Sequence, residues 1–301
     1  MRAIVTGASG FIGSAVVRRL LAEEADVLIL QRPESDAWRL QGLVGFESLQ
    51  CSYDDMQGLE QSIDDFHPDV FIHCAWRGVA EPDRSQSFQI TQNLPFTLQT
   101  VELAAALGCR QWIGLGSQAE YGFMSGPVDE DHPANPTSVY GQAKLSSGIA
   151  ATALCESLNM SGTWLRVFSV YGPFEGSTML SYVRKELAAG NSPKLTDCSQ
   201  QWDYLYVDDA AEAIVATAKQ NEGGVFNLGF GAHRPLKEYI AQMQDVLQTE
   251  VQPDYGAVAF AENQIMHLEA DISKLKRATG WAPATEFESG IAQTIAMEQA
   301  A

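Results

Sequence analysis

Basic residues are scarce in this chain: 19 Lys and Arg stand against 38 Asp and Glu, a formal net charge of −19 over 301 residues. Nucleic acid and anionic membrane surfaces reward clustered cations, so both are excluded as expected partners. An anionic small molecule remains possible, because a few local donors outweigh the global charge at close range. Cysteine is sparse too. Cys51, Cys74, Cys109, Cys155 and Cys198 are scattered, odd in number and never in C-x-x-C spacing, which argues against a disulfide framework or zinc site and for reduced, mostly buried thiols. The five histidines show no ligand spacing, so no metal is expected. No stretch approaches the roughly 20 apolar residues of a membrane span. No basic-apolar leader precedes the first strand, so no secretory signal is expected and the cytoplasm is the default compartment.

What is present reads as an ordinary globular protein, 46% apolar and 19% charged. The length favours one large domain or two intimately joined ones. Short β-rich runs at Ala3–Thr6, Val27–Leu30, Val70–His73, Trp112–Leu115 and Thr163–Phe168 alternate with helical patterns near 11–24, 86–107 and 137–159. Each parallel crossover needs a helix to return the chain, so the alternation predicts a parallel sheet covered on both faces. After Gly172-Pro173 the rhythm breaks into shorter Pro- and Gly-punctuated segments. The expectation is an α/β, Rossmann-type, doubly wound sheet over 1–168 with a return segment at about 202–220. A smaller interleaved region over 169–201 and 221–301 would complete the molecule.

Thr6-Gly7-Ala8-Ser9-Gly10-Phe11-Ile12-Gly13 follows the first strand and opens a helix. Its glycines permit a tight turn, close approach of a pyrophosphate and close packing of helix on sheet, and the helix N-terminus favours the anion. Gly7, Ser9, Gly10, Phe11, Ile12 and Gly13 are therefore candidate cofactor contacts; a plain β–α turn is the alternative. The second strand ends Leu30-Gln31-Arg32, where an NAD site would place Asp or Glu on the ribose. Arg32 instead suits a 2′-phosphate, unless it is an ordinary surface arginine. NADP(H) is the preferred cofactor on this reading, with NAD(H) possible.

Tyr140-Gly-Gln-Ala-Lys144 sets a phenol and an ammonium four residues apart, on one helix face. A neighbouring ammonium lowers a phenol's pKa toward the working range, although Y-x-x-x-K also occurs on surface helices. Ser117, beyond the Trp112–Leu115 strand, lies where open α/β sheets bind ligands, and its hydroxyl suits a reacting oxygen.

With these pieces the sequence resembles the extended short-chain dehydrogenases/reductases, the NAD-dependent epimerase/dehydratase group that acts on nucleotide sugars. Further matches are His73-Cys-Ala-Trp76, Asn93, Tyr121-Gly122, Leu165-Arg-Val-Phe-Ser-Val-Tyr-Gly-Pro173, Trp202-Asp-Tyr-Leu-Tyr-Val-Asp-Asp209, Ala270-Asp-Ile-Ser-Lys274 and Gly280-Trp281. The resemblance implies an enzyme with Ser117, Tyr140 and Lys144 as catalytic residues. Tyr140 would exchange a proton with a sugar oxygen, Ser117 would share that oxygen, and Lys144 would bind the nicotinamide ribose. Ala75 and the backbone around Phe168 and Val170 would also line the cofactor. Trp76, Arg77, Ser117, Gln118 and Ser169 are the implied substrate contacts, although Trp76 serves equally as lid packing.

Departures narrow the chemistry. Family dehydratases carry acids after the catalytic Ser or Thr, where this chain has Gln118 and Ala119, and the 3,5-epimerising relatives use a cysteine at the Ala119 position. Simple ketone reduction and 4-epimerisation remain. Arg32 favours reduction, in its most concrete form an NADPH-dependent ketoreductase for a nucleotide-linked 4-keto-6-deoxysugar; a 4-epimerase with retained NAD is the alternative. The family's phosphate-binding asparagine and arginine appear as Ser169 and Trp202. Arg184, Lys185 or Lys194 are candidate replacements, and a non-nucleotide carbonyl substrate stays open. An NADP-sensing regulator without catalysis is the rival from another class. Asp208-Asp209 reads as helix N-terminal acids rather than a metal or acid–base pair. The resemblance implies a homodimer through helices at about 93–107 and 140–158, where Ala104, Ala105, Ala106, Gly148, Ala150 and Ala151 permit close approach, unless they face the sheet.

Overall fold

A computed structural model of the chain describes residues 1–52, 56, 58–262 and 264–300. The elements run β1 (Arg2–Thr6), α1 (Phe11–Ala22), β2 (Asp26–Gln31), β3 (Phe46–Gln50), α2 (Glu60–Ile63), β4 (Val70–His73), α3 (Leu94–Ala106), β5 (Gln111–Leu115), α4 (Val139–Ser157), β6 (Ser161–Val167) and β7 (Ser169–Tyr171). They continue with α5 (Met179–Ala188), β8 (Lys194–Leu195), β9 (Gln201–Trp202), β10 (Tyr204–Tyr206), α6 (Val207–Gln220), β11 (Gly224–Leu228) and β12 (Arg234–Pro235). The chain ends with α7 (Leu236–Leu247), β13 (Asp254–Tyr255), α8 (Ser273–Thr279) and α9 (Phe287–Ala300).

Seven parallel strands form the central sheet in the order β11-β6-β5-β4-β1-β2-β3. This is the expected doubly wound α/β fold. The inner strands are continuous apolar runs because both faces are covered, as in β1, where Ala3, Ile4 and Val5 have no exposure. Helix α1 buries Gly13, Val16, Val17 and Leu20, a stripe with helical spacing. The strand order reverses between β1 and β4, and a ligand cleft is expected beyond the carboxyl ends of these strands.

Two sheet strands escaped the sequence reading. In β3 only Phe46 and Leu49 are partly covered while its other side chains are exposed, so its apolar signal is weak. Strand β11 begins in Gly223-Gly224, which reads as a break, yet it pairs with β6 over its full length. Strand β11, which lies beyond the return segment expected at 202–220, thus belongs to the central sheet. Helix α6 carries the chain back by packing on α1.

A separate apolar cluster joins Tyr171, Leu180, Val183, Ile240, Met243 and Phe287 from β7, α5, α7 and α9. Buried Asp203 fastens this region to the sheet by accepting N–H groups of Phe230, Gly231 and Ala270 at 2.7, 2.9 and 3.1 Å. Asp208 and Asp209 lie in the first turn of α6. Asp209 also reaches outside it, accepting the Ala284 and Thr285 N–H groups at 3.2 and 2.8 Å. Of the small residues of α3 and α4, Ala104, Gly148 and Ala151 are buried, a Cβ on Gly148 lying 2.6 Å from Trp164 Nε1, whereas Ala105 and Ala150 are half-buried and Ala106 is exposed. All five cysteines are free, four of them buried and Cys74 half-buried. Among the described residues no helix is long and apolar enough to cross a membrane.

Candidate active site

The glycine loop is shaped by close approach. Gly7 has φ +68°, and a Cβ there would lie 2.5 Å from the Ala75 backbone nitrogen. A Cβ on Gly13 would lie 2.1 Å from Gly7 O, so both positions require glycine. Gly10, the N-cap of α1, provides no side-chain cap, and the first-turn amides are open to an anion. A cleft of about 720 Å³ starts here, lined by Gly7, Ser9, Gly10, Arg32, Ala75, Trp76 and Arg77 among others. Arg32 stands at its β2 end, 3.4 Å from Glu34 Oε1. The glycine cradle at a helix N-terminus and the cleft leading from it suit a dinucleotide. The side chains of Phe11 and Ile12 pack against the main core, leaving their backbone to face the cradle.

Ser117, Tyr140 and Lys144 converge just beyond the Trp76 end. Ser117 caps the short turn Gln118–Glu120: its Oγ accepts the Ala119 N–H at 3.2 Å, and Glu120 Oε1 accepts the Ser117 N–H at 2.8 Å. Helix α4 starts against this turn. Ser138 Oγ caps it by accepting the Gly141 N–H at 3.1 Å, and a Cβ on Gly141 would meet Ala119 O at 2.5 Å. That contact sets Tyr140 beside Ser117, whose hydroxyl acts to lower the phenol's pKa. Burial raises the Tyr140 pKa above the usual phenol value; the Ser117 hydroxyl and the Arg84 charge oppose the rise, and the Glu120 charge adds to it.

Lys144 is 4% exposed. Its Nζ donates to Leu115 O at 2.7 Å and lies 3.6 Å from the centre of the Trp76 ring. Burial lowers its pKa to about 7, against the opposing charges of Glu120 and Cys74. The expected lowering of the Tyr140 pKa by Lys144 is not realised here, because the ammonium faces Leu115 O and the indole and stands 5.9 Å from the phenol ring centre. His73 is buried at the end of β4, bonded to Thr6 Oγ1 at 2.8 Å, and burial with the nearby Lys144 charge holds its pKa at about 3.

The segment after β4 covers the site. Trp76 Nε1 donates to Gln89 Oε1 at 2.8 Å, its ring meets Tyr140 edge-on at 6.1 Å, and the Arg84 guanidinium lies 4.3 Å from the Tyr140 ring centre. Arg77 lines the cleft while its guanidinium donates to Gln92 Oε1 at 2.6 Å. Gln89, Arg84 and Glu120 were not singled out from the sequence, since no motif marks them. Glu120 is fully buried, accepts Trp164 Nε1–H at 2.9 Å and pairs with Arg166 at 2.9 Å.

Other expected contacts divide. Ala75 lines the cleft, Phe168 is buried in the core beside Tyr121, and Val170 packs against that core. Gln118 is half-buried, its Oε1 3.5 Å from Ser117 Oγ. Ser169 Oγ accepts the Trp202 indole N–H at 2.8 Å. Arg184 is withdrawn as a phosphate ligand: it is 4% exposed and committed to Glu175 and Glu298. Lys185 and Lys194 are exposed.

Comparison with known proteins agrees with this architecture. The chain is 27% identical to a UDP-glucose 4-epimerase of Mycolicibacterium smegmatis, covering 98% of this chain and 97% of that one. A UDP-N-acetylglucosamine 4-epimerase from Methanobrevibacter ruminantium, solved with UDP-N-acetylmuramic acid, superposes with a TM-score of 0.90 at 24% identity, over 99% of this chain and 98% of that one. A UDP-glucuronic acid 4-epimerase from Bacillus cereus, solved with UDP-glucuronic acid and NAD, gives 0.87 at 24% identity over 100% of both chains. Residues 3–229 match the NAD dependent epimerase/dehydratase family, and the chain belongs to that family of extended short-chain dehydrogenases/reductases.

Proposed function

We propose that the chain is an NADPH-dependent ketoreductase acting on a nucleotide-linked 4-keto-6-deoxysugar. The observation that carries this reading is Arg32 lining the β2 end of the cofactor cleft. A guanidinium there favours the 2′-phosphate of NADP, where an NAD-retaining enzyme places a carboxylate.

The cofactor, when bound, supplies the hydride. The chain's own residues manage the proton: a Tyr140 pKa raised by burial keeps the phenol protonated at neutral pH, the form needed to donate to a ketone oxygen gaining charge. Ser117 shares that oxygen and positions it, and Lys144 holds the nicotinamide ribose. Carbonyl, hydride and Tyr140 proton together give the alcohol. Trp76, held by Gln89, excludes water. Gly7, Ser9, Gly10 and Gly13 form the pyrophosphate cradle, and Trp76, Arg77, Gln118 and Ser169 belong to the sugar side. Residues 169–201 and the chain after Leu228 form the substrate-binding region, α3 and α4 the face of a homodimer, and five free thiols fit a reducing cytoplasm.

The second reading, a nucleotide-sugar 4-epimerase with retained NAD, is favoured by the names of its relatives and the NAD bound by the B. cereus enzyme. The test is NADPH consumption, and NADH consumption in parallel, across nucleotide-linked 4-keto-6-deoxysugars. NADPH-preferring turnover that Tyr140→Phe lowers by roughly 10²–10⁴-fold supports reduction. Interconversion of 4-epimers without net cofactor consumption supports the second reading. A ligand response that survives Tyr140→Phe, with no turnover by wild type, supports a sensor.

A further inference from the structure

Far along the chain from the glycine loop, His233, His267 and Glu269 meet at the rim of the smaller region. Each presents one ligand atom, and the three atoms lie within 4.8 Å of one another. Glu269 Oε2 stands 2.6 Å from His233 Nδ1 and 3.0 Å from His267 Nε2, and the two imidazole centres are 4.5 Å apart. From these observations we propose that they form a binding site for a divalent transition metal of the Zn²⁺ type.

The donor set selects the metal class. Two imidazole nitrogens and one carboxylate suit Zn²⁺, Co²⁺ or Ni²⁺ and do not suit Mg²⁺ or Ca²⁺, which take oxygen ligands. A tetrahedral ion with ligands at roughly 2.0–2.2 Å separates neighbouring donors by about 3.4 Å. The Glu269-to-imidazole spacings of 2.6 and 3.0 Å are shorter than that value, so these donors must part by about 0.4–0.8 Å to admit the ion. Water completes the coordination.

The backbone holds these side chains in place. His267 bridges Gln201, Leu268 N donates to Gln201 O at 3.0 Å, and Glu269 O accepts the Val128 N–H at 3.1 Å. The Arg234 guanidinium, next to His233, pairs with Glu286 at 3.1 Å, and among the described residues the ion-pair partners of Glu269 are the two imidazoles. His267 pairs with Gln201, and side chains alternate along a strand, so this cluster lies on the face of β9 opposite the Trp202 indole. The metal is therefore a clip, not a substrate contact. It joins the 231–234 loop to the 267–269 segment from outside, as Asp203 joins Gly231 and Ala270 from inside.

The test is titration of the chelator-treated full chain with ZnCl₂ by calorimetry, with CoCl₂ absorption in parallel, for wild type, His233→Ala, His267→Ala and Glu269→Gln. The expected result is one equivalent bound, a cobalt spectrum without a thiolate charge-transfer band, and a rise in Tm with Zn²⁺. Each variant, checked as folded by circular dichroism, should bind more weakly by at least the roughly 10–100-fold typical of lost supporting contacts. His233 is exposed, so its alanine variant keeps the test open should a more buried one unfold. No binding by wild type, or equal binding by His233→Ala, overturns the proposal. Neither result bears on the ketoreductase reading.

Discussion

The indole N–H of Trp202 donates to the hydroxyl of Ser169 at 2.8 Å, so two positions that depart from the family pattern satisfy each other. The pair is neutral where the resemblance implies arginine and asparagine on the nucleotide phosphates. Restoring both, as Ser169→Asn with Trp202→Arg, is expected to tighten binding of a nucleoside diphosphate by about tenfold or more, as a charge-assisted bond of ~1.5–3 kcal/mol implies. Calorimetry with UDP, CDP and dTDP reads the change. Unaltered affinity for all three would mean that the diphosphate is held elsewhere.

Arg32→Asp is expected to exchange the cofactor preference. The variant loses a cation facing the 2′-phosphate and gains an acceptor for the ribose hydroxyls, so NADPH binding should weaken by roughly 10–100-fold while NADH binding improves. Fluorescence titration with each dinucleotide checks it. A parallel loss for both would assign Arg32 to adenine stacking instead.

Lys144 predicts a pH effect of definite sign. Its pKa lies near 10.5 unfolded and about 7 in the fold, so between these values the unfolded chain binds more protons and stability from this group rises with pH. The cost of the buried ammonium is fully present below about pH 7. Lys144→Met removes it, and the variant should exceed wild type by about 4 kcal/mol at pH 7, each pKa unit between 10.5 and about 7 being worth ~1.4 kcal/mol. The gap should shrink steadily above pH 7 and close toward pH 10.5. Urea unfolding of both proteins at several pH values measures it, and a gap independent of pH would contradict the assignment.

Glu120→Gln keeps an acceptor for Ser117 and Trp164 but leaves Arg166 facing a neutral amide. Breaking a buried pair from one side costs about 3–5 kcal/mol, readable by denaturant midpoint. The Glu120 charge also holds the Tyr140 pKa up, so the alkaline limb of kcat/KM should move to lower pH. A variant of unchanged profile would confine Glu120 to stability.

The parts of this site that are local in sequence were legible there. Gly7, Gly10 and Gly13 occupy one turn, and Tyr140 and Lys144 share one helix face, so spacing alone implied their arrangement. Glu120 with Arg166, and His233 with His267, are brought together by tertiary packing, and no short motif records such meetings. The same holds for the cover of Trp76 and Arg84 over Tyr140. Phe168 and Val170 were placed near the cofactor by resemblance alone, and no spacing in the sequence carries that placement. The edge strands β3 and β11 were missed for a different reason: one is half-exposed and the other starts in paired glycines, so neither carries the dense apolar run of an inner strand.

Strand β11 also orders events at birth. Its partner β6 is complete at Val167, but the hydrogen-bonding edge it offers stays open until translation has passed Leu228, because α6 and β11 close that side. An open edge of this kind templates pairing with other chains. A nascent or truncated chain ending near residue 220 is thus exposed to aggregation through Ser161–Val167, and eight further residues separate it from a finished sheet.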